Sequence, residues 1–356
     1  MVIIGVEPPR SRVKLTLRYD LPDPPDPEAA GGIADHAAAV LSAQGIEAAV
    51  AVGYGPGALV TPVADALRIP TPLAALEIAE IYRVEDGRYW SYTCAKPGCC
   101  PPQGTPFDIA DHPAAAAMAV PGVPVLTGRA ELAATVAPLT GDAAESMQRA
   151  TRHAEEHAAR LVARVARCGH RGSARRLIAT AGLGAVAEAI AAARRGDRVA
   201  GDHSVAWLTV VLRDLRVRDD AWARMDPAYC DAHRLLWTDV TRRAHPGYVA
   251  APASLLAFVA WQSGNGALAN VALDRALADD PGYSMARLLR QVIDGGAPPS
   301  LARLPMTPEE VAASYDDLDE DMDEEPSGGD MDDDEVDDDP EEDMVDDPYE
   351  DEDWGA

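Results

Sequence analysis

Three of the five cysteines lie close together, at Cys94, Cys99 and Cys100. Thiolates bind zinc and iron–sulfur centres strongly, and His112 lies within reach in sequence as a fourth ligand. A C-x4-C-C spacing is not a standard zinc knuckle. Adjacent cysteines are expected to diverge from a common ion unless the backbone bends. The competing reading is a set of buried, reduced thiols packed beneath Trp90, since free cysteine is among the most buried residue types. A redox role is the third.

Other stretches match chemical patterns less specifically. Gly53-Tyr-Gly55-Pro-Gly-Ala58 fits G-x-G-x-x-A, with Glu77 where a ribose ligand would be sought. Against this, Pro56 removes a donor and Glu77 precedes a strand instead of ending one. His153-Ala-Glu-Glu156-His157 reads H-x-x-E-H, which places two imidazoles on one helical face for zinc. Its histidines flank an apolar stripe, so a solvated helix edge explains it equally well. Arg171, Arg175, Arg176, Arg194, Arg195 and Arg198 form a basic stretch with no interleaved aromatic residue, which disfavours nucleic acid.

The cysteines follow a hairpin pattern. Ile78–Val84 and Arg88–Thr93 are strand-like runs separated by Asp86-Gly87, and a type I′ turn requires positive φ at both central positions. Upstream, Val2–Val6 and the alternating Arg12–Tyr19 predict strands. Glu28–Gln44 has helical spacing closed by Gly45, Ile46–Val52 is a continuous apolar run, and Ala58–Arg68 is a second helix. Strand, helix and buried strand in succession form a βαβ unit. Helices at Ala114–Val120 and Glu131–Ala137, around a Val123–Leu126 strand, complete an α/β domain over residues 1–138.

From Asp142 the period changes. Met147, Ala150, Ala154, Ala158, Leu161, Val165 and Cys168 form a helical stripe. Further helices are expected at 173–195, 202–215, 218–225, 228–244, 253–262, 266–279 and 283–294. Pro-Gly-Tyr recurs at 246–248 and 281–283, a spacing close to that of tetratricopeptide repeats. Residues 140–300 are therefore read as an all-α, partly tetratricopeptide-like domain. In 301–356, Thr307-Pro308-Glu309-Glu310 starts a short helix to about Leu318, and a disordered acidic tail follows.

The formal net charge of −28 is concentrated in that tail. Of 59 acidic residues, 25 lie in 316–353, leaving 34 against 31 bases in the body. The start lacks the basic region of a signal peptide, and no apolar run reaches the roughly 18–20 residues of a membrane span. The expected location is cytoplasmic, with the cysteines reduced or metal-bound.

Arg83–Phe107, carrying D-G-R-Y-W-S-Y-x-C and C-C-P-P-x-G-T-P, resembles an uncharacterised actinobacterial family, domain of unknown function 4192. Val217-Arg-Asp-Asp-Ala-Trp222 and the A-W-Q-x-G-N-G-A-L-A-N-V-A-L-D-R-A-L-A-D-D-P-G-Y run within Leu255–Leu289 carry the same resemblance. It covers most of residues 1–300 and implies no established activity. Family members usually have a further segment before the first strand, so the first domain is expected to be N-terminally incomplete here. The leading expectation is a cytoplasmic scaffold or interaction protein, whose helical domain and acidic tail recruit a protein partner. The alternative is an enzyme or ligand-binding protein using the α/β domain, with zinc or an iron–sulfur centre at Cys94–Cys100.

Overall fold

A computed structural model describes residues 1–7, 12–69, 76–108, 126, 128–166, 171–199, 201–301 and 306–323. Strand β1 (Val2–Glu7) pairs antiparallel with β2 (Arg12–Arg18) on one side and with β3 (Ala48–Tyr54) on the other. Helix α1 (Pro27–Ala43) links β2 to β3. Its first turn is capped by Asp26, which accepts from the Glu28 N–H at 3.0 Å, and Pro27 holds N1, where its missing donor costs nothing. At the other end Gly45 takes φ 64°, and the Ile46 N–H reaches back to the Leu41 carbonyl at 2.9 Å, closing a Schellman turn.

The expected βαβ unit is present in split form. Since β2 and β3 both run antiparallel to β1, they are parallel to each other with β1 inserted between them. An unbroken unit follows: α2 (Gly57–Leu67) joins β3 to β4 (Glu77–Glu85), which pairs parallel with it. The turn at Asp86 (φ 47°) and Gly87 (φ 69°) then folds β5 (Arg88–Ser91) back onto β4, and short β6 (Thr105–Pro106) forms the edge. Sheet order is β2-β1-β3-β4-β5-β6. Ile3, Ala49, Ala51 and Ile81 alternate onto one face, where they bury Leu41 of α1 and Val60 and Val63 of α2. Gly5 lets α1 approach, because a Cβ there would stand 2.8 Å from Leu41 and 2.9 Å from Ile46.

The expected helix at 114–120 and most of the strand at 123–126 lie outside the described residues. Helix α3 (Arg129–Thr135) packs with the second core: Arg129 meets Asp274 at 2.5 Å, and Val136 is fully buried there. Next come α4 (Gly141–Ala166), α5 (Arg171–Arg194), α6 (Gly201–Val211), α7 (Leu215–Ala223), α8 (Cys230–Arg243), α9 (Ala250–Gln262), α10 (Gly266–Asp279) and α11 (Ser284–Asp294). The last described helix is α12 (Pro308–Asp323). The centre is α9, in which every residue from Ala250 to Trp261 is buried. A helix apolar on all sides has no wet face and must be surrounded. Helices α8, α10 and α11 pack against it. One carboxylate, Asp279, caps α9, accepting from Gly247, Val249 and Ala250 N–H groups at 2.6, 2.9 and 3.1 Å.

Arg176–Arg194 within α5 is long and apolar enough to cross a membrane by length and composition alone. Its Ala179, Val186, Ala189 and Ile190 are buried in the helical core, and Gly182 makes room for Val211 and Val217. Helix α12 extends five residues past the expected Leu318. A capping box starts it, with Thr307 N–H donating to Glu310 and Glu310 N–H to Thr307 Oγ1. It docks on α7 through buried Val311, Tyr315–Asp219 (2.6 Å) and Arg216–Asp316 (2.7 Å).

Candidate functional site

The two-residue turn fixes the β4–β5 register, so Arg83 faces Trp90 across the hairpin. The Arg83 guanidinium lies 3.7 Å from the Trp90 ring centroid, a cation–π contact that covers one face of the indole. Gly104 also lies against the ring, and its φ of 79° and lack of a side chain are both required: a Cβ would stand 2.5 Å from the indole. Trp90 Nε1–H donates to the Pro102 carbonyl at 3.0 Å, and Arg88 reaches the carbonyls of Gln103 and Gly104. Tyr92 anchors the start of the loop by a 2.8 Å hydrogen bond with Thr61 of α2. Residues 92–104 thus form a loop clamped at both ends.

Within the clamp, Ser91 and Lys96 direct the cysteines. Ser91 Oγ accepts from the Thr93 and Cys94 N–H groups at 3.2 and 2.9 Å, turning the chain out of β5. Thr93 Oγ1 donates to Glu80. The Lys96 carbonyl accepts from both Cys99 and Cys100 N–H, at 3.1 and 2.8 Å, bending the return segment towards Cys94. Cys94 Sγ lies 3.2 Å from Cys99 Sγ, and Cys99 Sγ 3.7 Å from Cys100 Sγ. All three sulfurs lie within 4.8 Å of one another.

Two expectations are overturned here. The double turn at Lys96 supplies the bend that lets adjacent cysteines converge. Nor are the thiols buried beneath Trp90, against which Arg83 and Gly104 pack; Cys99 is exposed, and Cys94 and Cys100 are half-buried. Residue His112 lies outside the described residues.

Three sulfurs this close do not ionise independently. Cys94 is held below the usual thiol range, chiefly by the Lys96 backbone N–H pointing at its sulfur and then by the neighbouring thiols. Cys100 is pushed up to about 12, first by its hydrogen bond with Cys94. Tyr82 is raised by burial, followed by the Glu80 and Tyr89 charges and then the Cys100 charge. Lys96, one of only two lysines, supplies positive charge to the loop. The cluster therefore offers, at Cys94, a thiolate formed more readily than that of a free thiol, beside two further sulfurs. Four thiolates about 2.3 Å from a tetrahedral zinc stand about 3.8 Å apart, close to the 3.7 Å between Cys99 and Cys100 and below the 4.8 Å within which all three sulfurs lie.

The other sequence candidates are not assembled. Gly55 N–H donates to Val84 at 2.9 Å and is not open to a phosphate, while Gly53 admits Val60 of α2. Glu77 starts β4 opposite Ala48, whereas the glycine loop follows Tyr54 opposite Val84, roughly 20 Å along the strand. His153 stacks on His203 at 5.8 Å, His157 meets Trp207 edge-on at 5.0 Å, and Glu156 pairs with Arg160 at 3.7 Å. In the basic stretch, Arg194 covers Tyr229 and Arg195 pairs with Asp197. Among the described residues, the cysteine triad is the group placed to hold a metal ion.

Sequence reasoning missed the Arg83–Trp90–Gly104 stack, although the two-residue turn contained the signal by fixing which residues face each other. It also missed the network of Arg218, Asp219, Tyr283 and Tyr315 joining α7, α11 and α12, for which the sequence carries no short-range signal.

A family model described as "Domain of unknown function (DUF4192)" matches residues 1–300. No curated protein and no solved structure matches the chain.

Proposed function

The chain belongs to the DUF4192 family over residues 1–300, and we propose that this member binds a thiophilic metal ion, zinc foremost, through Cys94, Cys99 and Cys100. The convergence of three sulfurs within 4.8 Å on a clamped loop carries the reading. An exposed set of structural thiols has no packing reason to converge, whereas a metal ion would hold them together. The fourth position falls to His112, to water or to a ligand. A cytoplasmic setting, where thiols stay reduced, belongs to the same reading. The test is metal content of the purified full-length protein beside a Cys99→Ser variant. About one equivalent of zinc or iron in the first and under about 0.1 in the second is expected; under about 0.1 in both ends the proposal.

A second reading concerns partners and rests on α12. Residues 1–138 and 140–300 are read in it as an α/β domain and a helical domain, with α3 packed on the helical side, and a disordered acidic tail follows α12. The two Pro-Gly-Tyr triplets each follow a helix, α8 and α10, which supports reading α9–α10 as a tetratricopeptide-like hairpin ended by Pro281. The helical domain then serves as a scaffold, with the tail recruiting a basic protein partner. Affinity capture with the full chain and with a chain ending at Asp323 tests it: basic proteins retained only by the full chain are expected, and an unchanged set removes the tail from the argument.

A further inference from the structure

We propose that Cys94 and Cys99 are a redox couple, oxidised by a hydroperoxide to a disulfide that excludes metal from the site. The proposal rests on the metal reading only for that exclusion; the couple itself rests on geometry. The two sulfurs stand 3.2 Å apart, so closing to the roughly 2.05 Å of a disulfide requires movement of about 1 Å. Cys100 is farther from Cys99, at 3.7 Å, and is its immediate neighbour in the chain, where a disulfide would strain the intervening peptide. Cys99 is exposed, so a peroxide reaches it without opening the fold.

The short loop points to the role of the bond. A cross-link between residues five apart removes less entropy from the unfolded chain than a long-range one and so adds less stability. Short span and exposure together mark a labile, regulatory disulfide, not a structural one. No element has to move far, because Ser91 and the Lys96 carbonyl already direct both backbone arms inward.

The chemistry balances with one hydroperoxide. The sulfur of Cys99 attacks the peroxide, the O–O bond breaks, and a sulfenic acid and an alcohol (water, if the oxidant is hydrogen peroxide) are formed. Cys94 then attacks the sulfenic sulfur, the S–S bond forms, the S–O bond breaks and water leaves. Two thiols give up two electrons and two protons, and the peroxide accepts both. Cys100 remains a thiol. A bound metal would lose two of its three cysteine ligands.

The test uses the full-length protein, reduced, stripped with a chelator and treated with one equivalent of hydrogen peroxide. Free thiols are counted, and the peptide holding residues 94–100 is weighed. A fall from five thiols to three is expected, with that peptide two hydrogens lighter and Cys100 alone in it open to alkylation. Cys100→Ser should form the same bond at a similar rate, while Cys94→Ser and Cys99→Ser should not form it. A Cys99–Cys100 bond, an intermolecular bond, or oxidation of a single cysteine without a disulfide would overturn the couple. Zinc uptake is measured on the same reduced sample. If the disulfide forms but zinc does not bind, the metal reading fails and the couple stands; if zinc binds and no disulfide forms, the couple fails alone. With zinc bound, disulfide formation should slow by at least about tenfold, and an unchanged rate refutes the exclusion.

Discussion

Helix α9 and the loop at 92–104 occupy opposite extremes of the molecule. Twelve consecutive residues of α9 are buried, whereas none from Thr93 to Gln103 is. The helix is held by apolar contact on every side; the loop is held by hydrogen bonds, one indole and two guanidinium groups. Apolar burial is non-directional and scales with area, so it gives α9 stability without placing any particular atom. Hydrogen bonds are directional, so they aim three sulfurs while leaving them exposed to solvent and ions. Stability and chemistry are thus carried by different forces in different places.

The comparison is most easily broken in α9. Phe258 is 3% exposed and packs edge-on between Trp222 and Trp261. Phe258→Ala should cost about 4 kcal/mol in chemical denaturation followed by circular dichroism, and a loss under about 1 kcal/mol would show that the core collapses around the gap. The next effect depends on pH. Burial holds His233 of α8 down at about 4, and its Nε2 accepts from the Asp226 N–H at 3.4 Å. Its folded value lies below the unfolded one, so this contribution is complete above about pH 6.5 and is lost as pH falls towards 4. The loss should amount to roughly 1–3 kcal/mol in the wild type and be absent from His233→Gln; parallel pH curves for the two proteins would remove His233 as the cause.

Changes in the loop should be smaller and local. Gly104→Ala combines an unfavourable φ with a Cβ against Trp90, and should cost about 1–2 kcal/mol while shifting Trp90 fluorescence. Loss of zinc binding should accompany it. Smaller still, Cys100→Ser should change the stability of the metal-free protein by less than about 0.5 kcal/mol, as expected at a surface position. An effect as large as that of Phe258→Ala would mean that the loop carries core stability after all. Alkylation should follow the ionisation order without altering stability: as pH rises, Cys94 is modified well before Cys100, which peptide mapping reads directly.

Local signals in the sequence were reliable where the physics is local. The Asp86-Gly87 turn, the Gly45 stop and the capping box at Thr307 all stand where backbone rules place them, whereas the Asp26 cap with Pro27 at the first helical position was not read in advance. The alternating Arg12–Tyr19 pattern marked a strand, but period two says nothing about partners, so the position of β1 between β2 and β3 was not legible. The stripe of α4 was read from period alone; Met147, Ala150 and Ala154 are buried, while Ala158 and Leu161 are only partly so. At the site, residue types singled out the cysteines. Their convergence depends on two hydrogen bonds to one carbonyl, and no residue type reports that in advance.

The carboxylate of Asp279 gives the helical core an order in time. Helix α9 emerges from the ribosome with the amides of Val249 and Ala250 unsatisfied, and the residue that completes them is synthesised thirty positions later. Until α10 has folded back, this apolar helix has a frayed start, and of its three neighbours only α8, which is synthesised before it, is present. Its first stable form is therefore a hairpin with α10, so a nascent chain stalled before residue 279 would expose the segment most prone to aggregate.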